Sequence, residues 1–394
     1  MHELTGVRRG TLGTLSVALR VACCVAVLLS LTSANAGAAE ARPRVLLRAE
    51  DLGKWQLDHL TTAASPSLAD DPSDPRGWER GVFWVGMTAL AEHSSEPWVR
   101  GAVLAQGRAN QWTLGSRLYY ADDQVIGQTY LWAAEHSAGS EAIAPLRSNL
   151  DRILADPPRV PLAFLSPGEP NGTECLKRWC WSDALFMAPA TWLGLSRETG
   201  DRRYRDYALS EFWATTNFLY DPAERLYFRD SRFFELRDAN GHKVFWSRGN
   251  GWVFAGLVRM MEALPLNDPD CRRLQALFQE MAGRVKELQK ADGYWPPALL
   301  APEGSPPESS GTALFTYGLA WGIEHGLLER AEYESAVRRG WSALDRAIQP
   351  DGRLGWVQQV SDRPDEVAAT NTEFYGVGAF LLAAAAVFAL DLRR

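Results

Sequence analysis

The feature that most constrains this chain is a long succession of helix-period segments with almost no strand-like alternation. From Gly81 onward, apolar residues recur at three- and four-residue spacing, the mark of helices that bury one face. The segments read as Gly81 to Ala91, Trp98 to Trp112, Val125 to His136, Ile143 to Ala155, Asp183 to Thr199 and Arg203 to Tyr220. They continue as Gly251 to Leu264, Asp270 to Ala291, Gly311 to Leu328, Ala331 to Ile348 and Thr372 to Leu390. About eleven or twelve helices over roughly 315 residues, coming as hairpin pairs, predict an all-α fold. Long loops at 221–245, 297–310 and 361–369 interrupt them. Periodicity fits a closed barrel of helical hairpins or an open helical solenoid, since each buries one helix face and exposes loops along one rim. Loops of this length in a compact domain tend to carry function.

Outside that train the chain has two other parts. Residues 1–38 read as a signal peptide: Arg8, Arg9 and Arg20, an apolar run Val21 to Leu31, then Ser33-Ala34-Asn35-Ala36 with cleavage near Ala36 or Ala38. The expected location is therefore secreted, or periplasmic and cell-envelope. The run is short for a membrane span, and Arg20-Val21-Ala22 before Cys23 and Cys24 fits a lipobox poorly. Residues 39–76, rich in Pro, Ser and Asp, read as an irregular lead-in, and 77–394 as the helical domain. The apolar run Val377 to Leu390 reads as a last buried helix, so no membrane span is expected in the mature chain.

Composition narrows the function. A net charge of −7 without a basic patch speaks against nucleic acid as a partner. Cys175 and Cys180 suit a small loop disulfide in an oxidising compartment, leaving Cys271 over. Their spacing is not a zinc pattern and the chain has only 6 His, so neither a metal nor another cofactor is expected. The 16 Trp, an untypical number, are expected in a packed core but also in a cleft that stacks against sugar rings.

Four polar segments stand where chemistry is possible. In Trp179-Cys180-Trp181-Ser182-Asp183, the aspartate enters an apolar helix. It reads either as an N-cap or as a general acid/base desolvated by Trp179, Trp181 and Phe186. In Trp246-Ser247-Arg248-Gly249-Asn250-Gly251-Trp252, the arginine offers a planar fork for a carboxylate between two indoles. The alternative there is a capped helix start with Arg248 in an ion pair. Asp122 and Asp123 either cap the helix that follows or place one carboxylate opposite Asp183, where like charges keep one of them protonated. Glu308 to Ala313 and Thr370 to Gly376 read as caps. Gln289 to Trp295 and Gln349 to Trp356 share Gln, Asp-Gly and Trp after a helix and suggest one repeated hairpin, against coincidence of two common Asp-Gly turns.

Five stretches in order carry a resemblance: ADDQVIGQTY, WCWSDALFMAP, FWSRGNGWVFAGLVRMMEALP, SSGTALFTYGLAWGI and TNTEFYGVGAFLLA. From about Trp78 to its end the chain resembles the unsaturated rhamnogalacturonyl and glucuronyl hydrolases, glycoside hydrolase family 105, with family 88 as a more distant relative. The resemblance implies an (α/α)6 barrel with its site at one end. It implies a partner oligosaccharide, left by a polysaccharide lyase, that ends in a 4,5-unsaturated uronyl unit. A carboxyl protonates C4 of the C4=C5 bond, water adds at C5, and the hemiketal rearranges and releases the rest of the chain. That lies outside the two-carboxylate displacement scheme of ordinary glycosidases.

By the same resemblance Asp183 is the acid/base, and the second active-site aspartate falls at Asp122 or Asp123, with Asp122 preferred on its spacing to Gly127. Trp181, Trp246, Arg248 and Trp252 fall at positions lining the sugar pocket, with Arg248 toward the substrate carboxylate. Many members carry a His in the loop before the Trp-x-Arg segment. Here that loop reads Leu226-Tyr227-Phe228-Arg229-Asp230-Ser231-Arg232, and Arg229 is the candidate for that place. The rival readings are a polysaccharide lyase or ordinary glycosidase on the same barrel, and a non-catalytic oligosaccharide-binding protein. The sequence leaves the oligomeric state open.

Overall fold

The computed structural model describes residues 43–60, 74–164, 173–265 and 267–392. The signal-peptide reading of residues 1–38 lies outside them. Among the described residues, two kinds of helix alternate along the chain. The first kind is apolar nearly all round. These are α2 (Trp78–Ala91), α4 (Ile126–Ala133), α6 (Pro189–Thr199, after the single turn Ala184–Met187), α8 (Ser247–Glu262), α10 (Ser309–Glu324) and α12 (Phe374–Leu392). A helix with no polar face must be covered on all sides. The second kind is amphipathic: α1 (Arg44–Asp58), α3 (Pro97–Ala109), α5 (Ser140–Ala155), α7 (Arg202–Leu219), α9 (Pro269–Leu288) and α11 (Arg330–Ala347). In α9, Cys271, Leu274, Leu277, Phe278, Met281, Ala282 and Val285 form one buried stripe.

The even-numbered helices pack side by side in chain order, and α12 closes the ring against α2. The odd-numbered helices form an outer layer, so six hairpins make an (α/α)6 barrel rather than an open solenoid. The closing contact explains why the last helix passes for a membrane span on length and hydropathy, although 83% of that window is buried inside the barrel. The inner ring is tightest where α2 meets α12. A Cβ on Gly86 would stand 2.4 Å from the carbonyl oxygen of Gly378, and one on Gly378 would stand 2.3 Å from that of Val82. Because backbone blocks both methyl groups, Gly86→Ala is expected to destabilise the barrel by about 2 to 3 kcal/mol, the upper range of overpacking. Urea denaturation measures this directly, and an unchanged midpoint would show that the two helices are free to separate.

Two expectations need correction. The lead-in is not wholly irregular, because α1 covers Arg44–Asp58. Its buried set of Leu46, Ala49, Leu52, Gly53 and Gln56 has helical spacing, but Gly and Gln on that face blur the apolar stripe. The segment from Asp183 to Thr199 is not one helix, since the backbone breaks at Ala188 before Pro189, whose missing N–H suits a helix start. The repeated Asp-Gly turns are real counterparts. Gly293 and Gly352 take φ of +94° and +90°, and each turn leads from an outer helix back into the barrel.

Candidate active site

In a ring of antiparallel hairpins the inner helices all point the same way, so their N-termini share one end of the barrel. The polar segments gather there. The turn Ala121–Gln124 packs against the turn Ala184–Met187, which brings Asp122 and Asp183 to neighbouring positions. A two-residue hairpin, Tyr220–Asp221 with Leu226–Tyr227, carries the chain toward Arg229. Asn250 on α8 anchors that hairpin: its Oδ1 accepts from the Tyr227 N–H at 2.7 Å and its Nδ2 donates to the Tyr227 carbonyl at 3.0 Å. The Ser182 N–H then donates to the Arg229 carbonyl at 2.8 Å, fixing the loop beside Asp183.

Asp183 does not cap its helix; no side-chain capping bond is made. Its Oδ2 instead accepts from Ser182 Oγ at 3.0 Å and faces Arg229 Nε at 3.7 Å. The side chain is 13% exposed. Burial pushes the Asp183 carboxyl above the usual carboxylate range, against the opposing pull of Arg229, Ser182 and Arg248. Desolvation therefore prevails over nearby positive charge, as a proton donor requires.

Arg248 is buried at 1% exposure between Trp246, 4.3 Å away, and Tyr375, 4.9 Å away. It makes no ion pair. Its Nη1 donates to the Gln358 carbonyl at 2.8 Å and its Nη2 to the Gln359 carbonyl at 3.0 Å, while its Nε has no hydrogen-bond partner. These two bonds use one N–H on each Nη, and three of the five guanidinium N–H groups are left over by them. Trp246 donates to Gln358 Oε1 at 2.9 Å, and Tyr375 donates to the Gln358 carbonyl. Trp181 lies against Tyr120 with centroids 5.1 Å apart, and the Arg117 guanidinium sits 3.8 Å over the other end of that pair, on Tyr120.

Two of the expected sugar contacts are otherwise engaged. Trp252 has no exposed surface and packs among Trp78, Phe186 and Tyr375, so it supports the floor of the site from beneath. Asp123 caps nothing and is turned to Arg117, accepting from its backbone N–H at 2.7 Å and from its guanidinium. Asp122, on the same turn, is also buried. Glu308 does cap α10, accepting from Ser310 N and Gly311 N. Cys175 and Cys180 are joined, closing the loop just before Trp181. The groups sequence reasoning missed are Gln358, Tyr375, Asp230 and Asp362. Tyr375 lay inside the stretch TNTEFYGVG and Asp230 inside the loop Leu226 to Arg232, while Gln358 and Asp362 had no signal.

An unsaturated 3S-rhamnoglycuronyl hydrolase of Alteromonas sp. (strain LOR) is 40% identical over 314 residues, 78% of this chain and 76% of that protein. A protein of the same name from Formosa agariphila (strain DSM 15362 / KCTC 12365 / LMG 23005 / KMM 3901 / M-2Alg 35-1) is 35% identical over 348 residues, 86% of this chain and 89% of its own. The solved structure of a glycosyl hydrolase family 88 protein from Bacteroides vulgatus superposes with a TM-score of 0.74 at 27% identity, covering 87% of this chain and 97% of that one. The model of Glycosyl Hydrolase Family 88 matches residues 49–390, nearly the whole described barrel, and the chain belongs to that family.

Proposed function

We propose that the protein removes a terminal 4,5-unsaturated uronic acid from oligosaccharides left by a polysaccharide lyase. The observation that carries the reading is Asp183: a carboxyl whose proton affinity burial raises against the pull of Arg229, which stands 3.7 Å away, and of Arg248. Such a group donates a proton to C4 of the double bond and, once ionised, accepts one from the water that adds at C5. Asp122 is the second carboxylate facing that water. Arg248 and Arg229 provide positive charge for the substrate carboxylate in a chain whose net charge of −7 repels acidic sugars. Trp181 and Trp246 are 1% and 2% exposed, so they shape the wall of the site rather than offer open faces to the ring. The hydrated unit is a hemiketal, and its rearrangement releases the remaining sugar without covalent attachment to the protein.

Within the family we place the chain with the rhamnogalacturonyl-type hydrolases grouped as family 105, on the five ordered stretches quoted above. The substrate class is the one its two relatives are named for, unsaturated 3S-rhamnoglycuronyl oligosaccharides. The N-terminal segment 1–38 is read as an export signal that delivers the enzyme to the periplasm, cell envelope or medium.

The direct test follows ultraviolet absorbance of the conjugated C4=C5 bond with a panel of lyase-generated oligosaccharides. Loss of absorbance is expected, with the responding panel member naming the polymer. No loss across a panel that a relative consumes would reject the hydrolase reading. New absorbance from saturated polymer would identify a lyase instead.

A further inference from the structure

The charge network on the loop around Asp230 exceeds what a single acid needs. Asp230 has no exposed surface and touches no sugar-facing space. It accepts from Arg229 Nη1 at 2.8 Å, from Arg232 Nε and Nη2 at 2.8 Å each, and from the Arg232 N–H at 3.0 Å. Arg232 Nη2 donates also to Asp362 at 2.8 Å. Phe164 lies beneath both guanidinium groups. Asp362 belongs to the same loop whose Gln358 and Gln359 carbonyls hold Arg248. One loop, 357–365, therefore steadies the cations on both sides of Asp183.

The standoff between Arg229 and Asp183 matters. A direct hydrogen-bonded arginine would hold Asp183 ionised and useless as a donor. Here Arg229 Nε stops 3.7 Å from Asp183 Oδ2 and makes no hydrogen bond, while its Nη1 is drawn to Asp230. Hydrogen bonds and charge from the two arginines hold Asp230 below its ordinary range although burial works the other way, so it is an anion at working pH.

We infer that Asp230 and Asp362 are positioning residues that hold Arg229 back from Asp183 and so keep Asp183 able to carry the proton, with the 357–365 loop as the brace. This rests on the reading of Asp183 as the acid. The charged groups on the elements around Asp183 are Arg229 and Asp230 on the loop after Leu226–Tyr227, Arg248 on α8, Asp122 on the 121–124 turn, and Asp362 through Arg232. Tyr375 on α12 and the buried Glu79, Glu308 and Glu373 lie behind Arg248, and Asp123 is held by Arg117.

The test is the pH profile of kcat/KM for wild type, Asp230→Asn, Asp362→Asn and Arg229→Gln. Activity needs protonated Asp183, so its alkaline limb reports that group. Asp230→Asn removes a like charge and frees Arg229 Nη1 for Asp183. Both effects favour the Asp183 anion, and the limb is expected to move to lower pH by about one unit, the scale of one close charge. Asp362→Asn should move it the same way by less. Arg229→Gln should move it to higher pH. Opposite shifts support the inference. Loss of activity with the limb unmoved, or shifts in one direction for all three, overturns it. Circular dichroism checks each fold. If Asp230→Asn does not fold, Asp362→Asn decides, because Asp362 is 31% exposed and its loss leaves no buried gap. Near-normal turnover by Asp183→Asn would instead overturn the underlying assignment, which separates the two failures.

Discussion

Asp183→Asn is expected to lower kcat by about 10²-fold or more, the usual scale for removing a general acid/base. The amide keeps the shape of the carboxyl and can still accept from Ser182 Oγ. KM is expected to change little, because the indoles of the wall and both arginines stay in place. Stability should also change little. Asp183 is biased toward its neutral form by burial, so the amide replaces a group of similar polarity and Arg229 keeps Asp230 as its partner. Ultraviolet loss of the double bond together with a thermal melt reads both quantities. Normal turnover would move the acid role elsewhere, with Asp122 the first place to look. The pH dependence has a definite sign. A carboxyl whose proton affinity is raised is a competent donor below its shifted value, and that competence fades as pH rises through it. The wild-type activity should therefore show an alkaline limb, and the Asn variant's residual activity should lack it.

Much of the barrel was legible because inner and outer helices obey one simple rule. Apolar positions at helical spacing mark every outer helix from α3 onward, and all-round apolar runs mark the inner ones. What periodicity lacked was closure. Whether twelve helices make a ring or a spiral depends on α12 meeting α2, residues nearly three hundred positions apart in the chain. The helix α1 escaped notice for a local reason, since its buried face includes Gly53 and Gln56. The site divides in the same way. Asp183, Arg248 and Trp246 were readable as a polar group beside aromatics within one short segment. Their partners were not. Gln358 meets Trp246 across 112 residues, and Arg232 meets Asp362 across 130. A loop Gln or Asp has no periodic signature, and only the folded barrel reveals what it faces. The capping reading of Asp183 failed for a physical reason too: Ser182 and Arg229 compete for a carboxylate that would otherwise turn to the helix amides. Trp252 shows the reverse error. It stands on the same face of α8 as Arg248, but one turn further from the end of the barrel that carries the site, where Trp78, Phe186 and Tyr375 cover it completely.

Arg248→Met is expected to cost both stability and turnover. The side chain is 1% exposed, and its two Nη groups are donors to the Gln358 and Gln359 carbonyls. Hydrogen bonds from a charged group are each worth about 1.5 to 3 kcal/mol, and losing both leaves two carbonyls without their donor, so a fall of about 3 kcal/mol or more is expected in urea denaturation. Methionine keeps the apolar stem between Trp246 and Tyr375 but loses the cation–π contacts there. Turnover should fall by about 10²-fold or more, because the substrate carboxylate loses its guanidinium partner and the loop that braces Arg229 is released at the same time. Arg248→Lys separates the two effects. An ammonium restores the charge but reaches only one carbonyl and lacks the planar fork. Substrate affinity should recover part of the way while stability stays low. If Arg248→Met is instead as stable as wild type, the loop is held by Tyr375 on the Gln358 carbonyl and by Glu308 on the Gln358 N–H. In that case the arginine would serve the substrate alone, and a rise in KM without any movement of the pH limb would say so.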